Sequence, residues 1–253
     1  MTRQPRGHYV RLYPEIDRAG SLQAAMQTAL DHAGHELTAQ LTGAPGWWDC
    51  ATRVGDGHRH VSVTAASQER CLLMEFWGRG VMMAKARTGD LAAAAEATGL
   101  WQAGTRLDEL KTACPFVQYS PLAEAHERGE AVEAQWAIYR TTSARHVDHD
   151  LIEAAYARPR LRALFPFHSH RTLNFSRCTG FPYTHDIPVI DPRPDGTYRV
   201  AWWRDRSPDG PAIGEADNPQ DATALVHASL PDDCGPAIAG TGHDLDTSAA
   251  VSP

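Results

Sequence analysis

Hydrophobic and polar residues alternate along the chain with two different periods, which predict helices and strands. The 3.6-residue period between Ser21 and Gly34 predicts a helix, with the serine as its N-cap. The two-residue period at 59–66 predicts a half-buried strand, and the apolar run at 71–77 predicts a more buried one. A tight turn at 78–80 leads to a third strand and then to an alanine-rich helix. The first half therefore predicts a helix, three strands and a second helix.

The second half of the chain repeats this order of elements. Residues 150–165 have helical spacing with Pro159 as a break, and a helix follows Asn218 because its next residue is proline. Three strands are predicted between these helices, at 171–177, 197–203 and 210–216. The strand–helix segments 81–97 and 212–228 match in pattern, which indicates an internal duplication. The alternative is that any two halves of mixed structure can be aligned in this way.

These elements predict an α+β fold of two antiparallel three-stranded units with helices packed against one face. We expect an N-terminal α+β half at 1–143 and a C-terminal α+β half at 144–240. The segment 119–150, which contains the predicted boundary, has helical spacing with a break near Gly129. Residues 241–253 have little to bury and are predicted to be a disordered tail.

Composition and charge narrow the class of protein. The 253 residues are 42% hydrophobic and 22% charged, which is ordinary for a soluble globular protein. The net charge of −7 argues against a nucleic-acid partner, and no stretch approaches the roughly 18 apolar residues of a membrane helix. The N-terminal residues lack the apolar core of a signal peptide. The five cysteines form no CxxC pair, so we expect reduced thiols and a cytoplasmic location.

Several stretches resemble a known family. They include FPFHSHRTLNFSRCTGFPYTHDIPVI, LPDDCGPAIAGT and FWGRGVMMAKARTGDLAAAAEA, and together they extend over nearly the whole chain. They resemble an actinobacterial family of the 6193 type of domain of unknown function, whose members are described only as natural product biosynthesis proteins. The resemblance implies a setting in secondary metabolism, antibiotic biosynthesis included. It implies no catalytic residues.

The candidate functional site is the polar stretch between Phe165 and Asp186. Strand alternation separates Leu173 and Phe175 from a polar face. That face carries His170, Thr172, Asn174, Ser176 and Cys178. It predicts either the lining of a pocket or the solvated face of an antiparallel sheet. The turn after Cys178 is able to bring Tyr183, His185 and Asp186 back to the same surface.

These residue types predict acid–base chemistry. The catalytic candidates are His170, His185, Asp186, Tyr183 and Cys178. A histidine beside a carboxylate can transfer protons near neutral pH, whereas a cysteine nucleophile needs a nearby base. The substrate-binding candidates are Arg171, Arg177, Asn174 and Trp48. The arginines can hold a carboxylate or phosphate, or pair with neighbouring acids in a structural role. Trp48 or its neighbour Trp47 could stack on a ligand or a partner.

Metal binding is not predicted. The pairs His168/His170 and His146/His149 have suitable spacing, but neither has an evident third ligand. We therefore expect no metal and no cofactor. The leading functional hypothesis is a biosynthetic protein that acts on a small metabolite by cofactor-independent acid–base chemistry. The alternative is a non-catalytic module that binds a partner biosynthetic enzyme or carrier through an exposed sheet face and a tryptophan.

Overall fold

The computed structural model describes residues 11–42, 50–142, 148–207 and 210–249, and these residues are 39% helical and 25% strand. It divides into two compact units, residues 1–127 and 128–253. The division falls at Glu127/Arg128 rather than at the expected 143/144. The physical reason is that the helix after Gly129 buries Trp136 in the core of the C-terminal unit.

The N-terminal unit contains a six-stranded antiparallel sheet in the order β1-β2-β3-β4-β5-β6. Its strands are β1 Ala39–Leu41, β2 Ala51–Gly55, β3 Arg59–Ala65, β4 Leu72–Gly78, β5 Val81–Thr88 and β6 Val117–Gln118. The helices described here are α1 Pro14–Ala19, α2 Leu22–His32, α3 Leu91–Gln102, α4 Leu107–Ala113 and α5 Pro121–Arg128, the last of which ends at the boundary. Side-chain caps explain where two of them begin. Ser21 Oγ accepts from the Ala24 amide, and Asp90 accepts from the Ala92 amide.

One face of this sheet forms the core of the N-terminal unit. Val61, Val63 and Phe76 are buried on that face, and Leu30 and Trp101 of helices α2 and α3 belong to the same hydrophobic cluster. The two-residue period of β3 thus buries the residues that the sequence predicted to be apolar and inward-facing.

The C-terminal unit contains a five-stranded antiparallel sheet in the order β11-β10-β9-β8-β7. Its strands are β7 Phe165–Ser169, β8 Thr172–Ser176, β9 Val189–Pro192, β10 Tyr198–Ala201 and β11 Gly214–Ala216. Its described helices are α6 Ala131–Thr141, α7 His149–Tyr156, α8 Pro159–Arg162, α9 Pro219–Ala228 and α10 Gly242–Ala249. A 3₁₀ turn at Trp203–Asp205 follows β10.

The helical face of the second sheet forms the core of the C-terminal unit. Leu173 and Ile190 are cross-strand neighbours and are fully buried. Trp136 of α6 and Val226 of α9 lie in the same buried cluster. The indole of Trp136 also donates to the Leu164 carbonyl at 3.2 Å, which satisfies its polar atom inside the core. The candidate site described below lies on the opposite face of this sheet.

The mixed α and β composition is confirmed, but the strand counts differ from the prediction. The sheets have six and five strands, not three each. Strands β1 and β6 are too short to show a period, and β7 and β9 each contain a proline that lowers strand propensity. The duplication is not confirmed, because β5 is an inner strand of its sheet whereas β11 is an edge strand.

The predicted tail is partly ordered. Helix α10 lies within residues 241–253. The Asp244 carboxylate accepts from the Thr241 amide at 2.7 Å, and the Gly242 amide donates to the Pro182 carbonyl at 2.7 Å. The backbone hydrogen bond of Gly242 therefore attaches the start of this segment to the loop after β8.

Candidate functional site

A cleft lies on the face of the β7–β11 sheet opposite the core. Antiparallel register places Asp191 beside Arg199, and the Thr172 hydroxyl donates to Asp191 at 3.3 Å. The cleft has a volume of about 490 Å³. It is lined by Ser169, His170, Thr172, Val189, Asp191, Arg199, Ala201, Trp203, Arg204, Arg206 and Ser207. We call it the Arg199 cleft. Strands β8, β9 and β10 form its floor, and the β7–β8 turn and the segment 203–207 form its walls.

Arg199 is the buried charge at the floor of the cleft. Arg199 is 3% exposed. Its Nη2 donates to the carbonyls of Asp205 at 3.1 Å and Gly210 at 2.7 Å. Among the described residues, no carboxylate lies within 4.0 Å of this guanidinium. The two carbonyl contacts hold the segment after Trp203 over the sheet, so Arg199 shapes the wall of the cleft.

The carboxylates nearest to Arg199 in the register have other partners. Glu215, its neighbour on β11, pairs with Arg193 at 3.1 Å. Asp191, its neighbour on β9, accepts from Thr172. The positive charge of Arg199 is therefore surrounded by polar groups without a direct ion pair, which is an unusual arrangement for a buried guanidinium.

Trp203 forms the wall of the cleft with a histidine and an arginine packed against its ring. The His185 ring stacks on it with centroids 4.4 Å apart and planes 16° apart. The guanidinium of Arg206 lies 3.8 Å from the ring centroid. Burial lowers the pKa of His185, and the positive charge of Arg206 lowers it further. His185 thus supports the wall and is not among the residues that line the cleft.

His170 lies at the rim of the cleft in the turn between β7 and β8. Ser169 pairs with Thr172, so His170 and Arg171 form a two-residue hairpin turn. The φ of His170 is +61°, in the left-handed region that normally favours glycine or asparagine. Both turn residues are exposed, but only His170 is among the lining residues. Strained backbone at a non-glycine residue is enriched at functional sites.

The structure places Tyr183 over the end of strand β7 and outside the cleft lining. Its ring stacks on Phe167 at 4.3 Å and on Phe165 at 5.8 Å. Burial raises the pKa of Tyr183 to about 12, so its hydroxyl stays protonated at neutral pH. These contacts give Tyr183 a packing role.

Cys178 is buried in a hydrogen-bonded cluster and is not poised as a nucleophile. Its thiol lies 3.4 Å from the Gly180 carbonyl and 3.3 Å from Ser176 Oγ. Burial raises the pKa of this thiol, which disfavours the reactive thiolate. Ser176 Oγ also accepts from the amides of Cys178 and Thr184, at 3.1 Å and 3.2 Å. The cluster fixes the course of the loop after β8.

Arg177, Asp186 and Asn174, three further candidates of the polar stretch, have partners within the protein. Arg177 pairs with Asp186 at 2.9 Å, which is the structural alternative that the sequence left open. Asn174 is 1% exposed and donates to the Thr172 carbonyl at 2.9 Å. The solvated-face prediction is therefore wrong for Asn174, Ser176 and Cys178, because loop residues cover this part of the sheet. Trp48 lies outside the described residues.

The described histidines of the two pairs have other contacts in the structure. His146 lies outside the described residues, and the ring of His149 contacts the Thr142 carbonyl. The ring of His168 packs edge-on against Tyr139, with centroids 4.6 Å apart. Within the described parts of the chain, no group of three or more His, Cys, Asp or Glu side chains could hold a metal ion.

Most of the cleft residues were not predicted from the sequence, including all of its arginines, its carboxylate and its tryptophan. These five residues are Asp191, Arg199, Trp203, Arg204 and Arg206. A signal was present in YRVAWW, where an arginine stands between buried residues of a predicted strand. A buried strand rarely contains a charge without a specific partner, so Arg199 itself indicated the cleft.

A comparison with known families matches the part of the chain that contains the cleft. Residues 130–241 match a family described as a family of unknown function, DUF6193. The match covers strands β7–β11 and helices α6–α9, which is less than half of the chain. Comparisons with curated proteins and with solved structures gave no match. No helix in the described segments has both the length and the apolar composition to span a membrane.

Proposed function

We propose that the C-terminal unit binds a small metabolite in the Arg199 cleft and acts on it by acid–base chemistry without a cofactor. The observation that supports this is a concave cleft that contains both His170 and Asp191. An imidazole and a carboxylate in one cleft can give and accept protons near neutral pH. A module that binds a partner protein is instead expected to present a flat apolar surface.

The proposed chemistry is assigned to fewer residues than the sequence indicated. Tyr183, Cys178 and Asp186 have packing or pairing contacts that account for them. His170 remains the acid–base candidate because it lines the cleft and has a strained backbone. His185 becomes a positioning residue that acts through Trp203.

The resemblance to natural product biosynthesis proteins supports a setting for this function. We propose that the metabolite is an intermediate of secondary metabolism. The alternative is an accessory module that binds the metabolite, or a partner enzyme or carrier, without converting it.

Metabolite capture tests the proposal. The purified full chain is incubated with an extract of producing cells, recovered, and denatured so that released small molecules can be identified by mass spectrometry. Ser169→Trp places a large ring at the rim of the cleft, and Ser62→Trp on the N-terminal sheet is the matched control. We expect one metabolite to be enriched by the native chain and the control, and lost with Ser169→Trp. Equal capture by Ser169→Trp, or no enrichment, would contradict binding in this cleft. Release of the metabolite unchanged after long incubation would favour the non-catalytic alternative.

A further inference from the structure

The charge of the cleft lining has the opposite sign to that of the whole chain. The chain has a net charge of −7, whereas the lining contains Arg199, Arg204 and Arg206 against the single carboxylate of Asp191. Arginines placed together on a concave surface attract anions, and the field of a cleft is stronger than that of an exposed plane.

The three guanidinium groups differ in how firmly they are held. Arg199 is fixed by its two carbonyl contacts at the floor. Arg206 is held against the indole of Trp203. Arg204 is exposed, with its Nε 3.5 Å from the Asp205 carboxylate. The first two are pre-organised, so a bound anion would not have to order them, and the third can close on it.

Two residues of the floor are apolar. Val189 and Ala201 are buried cross-strand neighbours on the cleft face of β9 and β10. Arg206 and His185 already contact the Trp203 ring, so the floor rather than the indole is available to the body of a ligand.

We propose that the Arg199 cleft is an oxyanion site that takes small metabolites with a carboxylate or phosphate group. This inference deepens the proposed function and depends on it. The anionic group lies between Arg204 and Arg206, next to Arg199, and binds through charge-assisted hydrogen bonds. The apolar body lies over Val189 and Ala201, with the polar end of the metabolite directed to Asp191 and His170.

Model anions and a neutral isostere test this inference without knowledge of the natural metabolite. The ¹⁵N-labelled full chain is titrated with benzoate, with benzamide and with inorganic phosphate while the indole signal of Trp203 is followed by NMR. Trp203→Phe assigns that signal. We expect both anions to shift it and benzamide to bind at least about ten-fold more weakly, the cost of losing one charge-assisted hydrogen bond. Benzoate alone would indicate carboxylates as the class, and phosphate alone would indicate phosphate esters.

A charge-matched pair of double variants completes the test. Arg204→Gln/Arg206→Gln should weaken anion binding by about ten-fold or more. Arg79→Gln/Arg87→Gln removes the same charge from exposed positions of the N-terminal unit and should leave binding unchanged. Benzamide binding as tightly as benzoate, unchanged affinity in the cleft variant, or an unshifted Trp203 signal with every anion would overturn the oxyanion site. The outcomes remain distinct from those of metabolite capture: enrichment of a neutral metabolite would overturn the oxyanion site and leave the proposed function standing.

Discussion

Trp203 and His185 stack with their ring centroids 4.4 Å apart, and this contact joins the loop after β8 to the wall of the Arg199 cleft. Through this contact, His185 can affect the position of the Trp203 ring although His185 itself does not line the cleft.

The first prediction concerns the protonation of His185. Its pKa should lie below about 6.5, the value for a free histidine, because burial and the charge of Arg206 disfavour the imidazolium. The neutral form is therefore favoured by folding. The resulting stabilisation is present above the unfolded pKa and is lost as the pH falls through the folded pKa. Histidine NMR titration should also show the pKa of His185 rising in Arg206→Gln. A folded pKa at or above that of free histidine would contradict the stacked arrangement.

The second prediction separates strain from function at His170. Its φ of +61° resembles that of Arg79, which has φ +49° in the β4–β5 turn of the N-terminal unit. His170→Gly and Arg79→Gly should each raise the free energy of unfolding by about 1 kcal/mol, because glycine adopts positive φ without strain. Chemical denaturation measures both. Only His170→Gly should impair metabolite conversion. A loss of stability in His170→Gly would show that its side chain contributes structurally.

A third prediction concerns the cluster after β8. Ser176→Ala leaves the buried amides of Cys178 and Thr184 without their acceptor and should cost about 1–3 kcal/mol of stability. Ser62→Ala, on the open face of the N-terminal sheet, should change stability by no more than about 0.5 kcal/mol. Equal effects in the two variants would refute the role of Ser176 in fixing the loop.

The cysteines give a fourth prediction. Cys71, Cys114 and Cys178 are buried, whereas Cys50 and Cys234 are half-buried. Alkylation of the native chain should modify Cys50 and Cys234 before Cys71, Cys114 and Cys178, and all five should react after unfolding without a reductant. Peptide mass spectrometry follows the order. Early modification of Cys178 would contradict its burial, and fewer than five labels in the unfolded chain would indicate a disulfide.

Local sequence patterns predicted much of the fold because helix caps and helix starts depend on residues that are neighbours in the sequence. The caps at Ser21 and Asp90 and the proline after Asn218 are short-range signals, and helices begin at each of them. Short edge strands and strands that contain proline carry no such signal. β7 and β9 were missed because Pro166 and Pro192 lower the strand propensity of these short segments.

The candidate site was predicted less completely than the fold. The alternation in β8 separated two faces but could not show that loop residues cover Asn174 and Ser176. The sequence assigned His170 to the polar face of the strand, whereas the structure places it in the β7–β8 turn at the rim of the cleft. The arginines of the cleft come from another strand and its following turn, and only the sheet register brings them opposite His170 and Asp191.

Turnover by a His170 variant tests the central claim most directly. His170→Asn suits the left-handed turn, since asparagine tolerates positive φ, and it removes the imidazole ring. His32→Asn, at the exposed end of α2, is the control. With the captured metabolite as substrate, we expect kcat/KM of His170→Asn to fall by about 10²–10⁴-fold while its melting temperature matches that of the native chain. Activity within a few-fold of the native chain would contradict acid–base chemistry at this cleft.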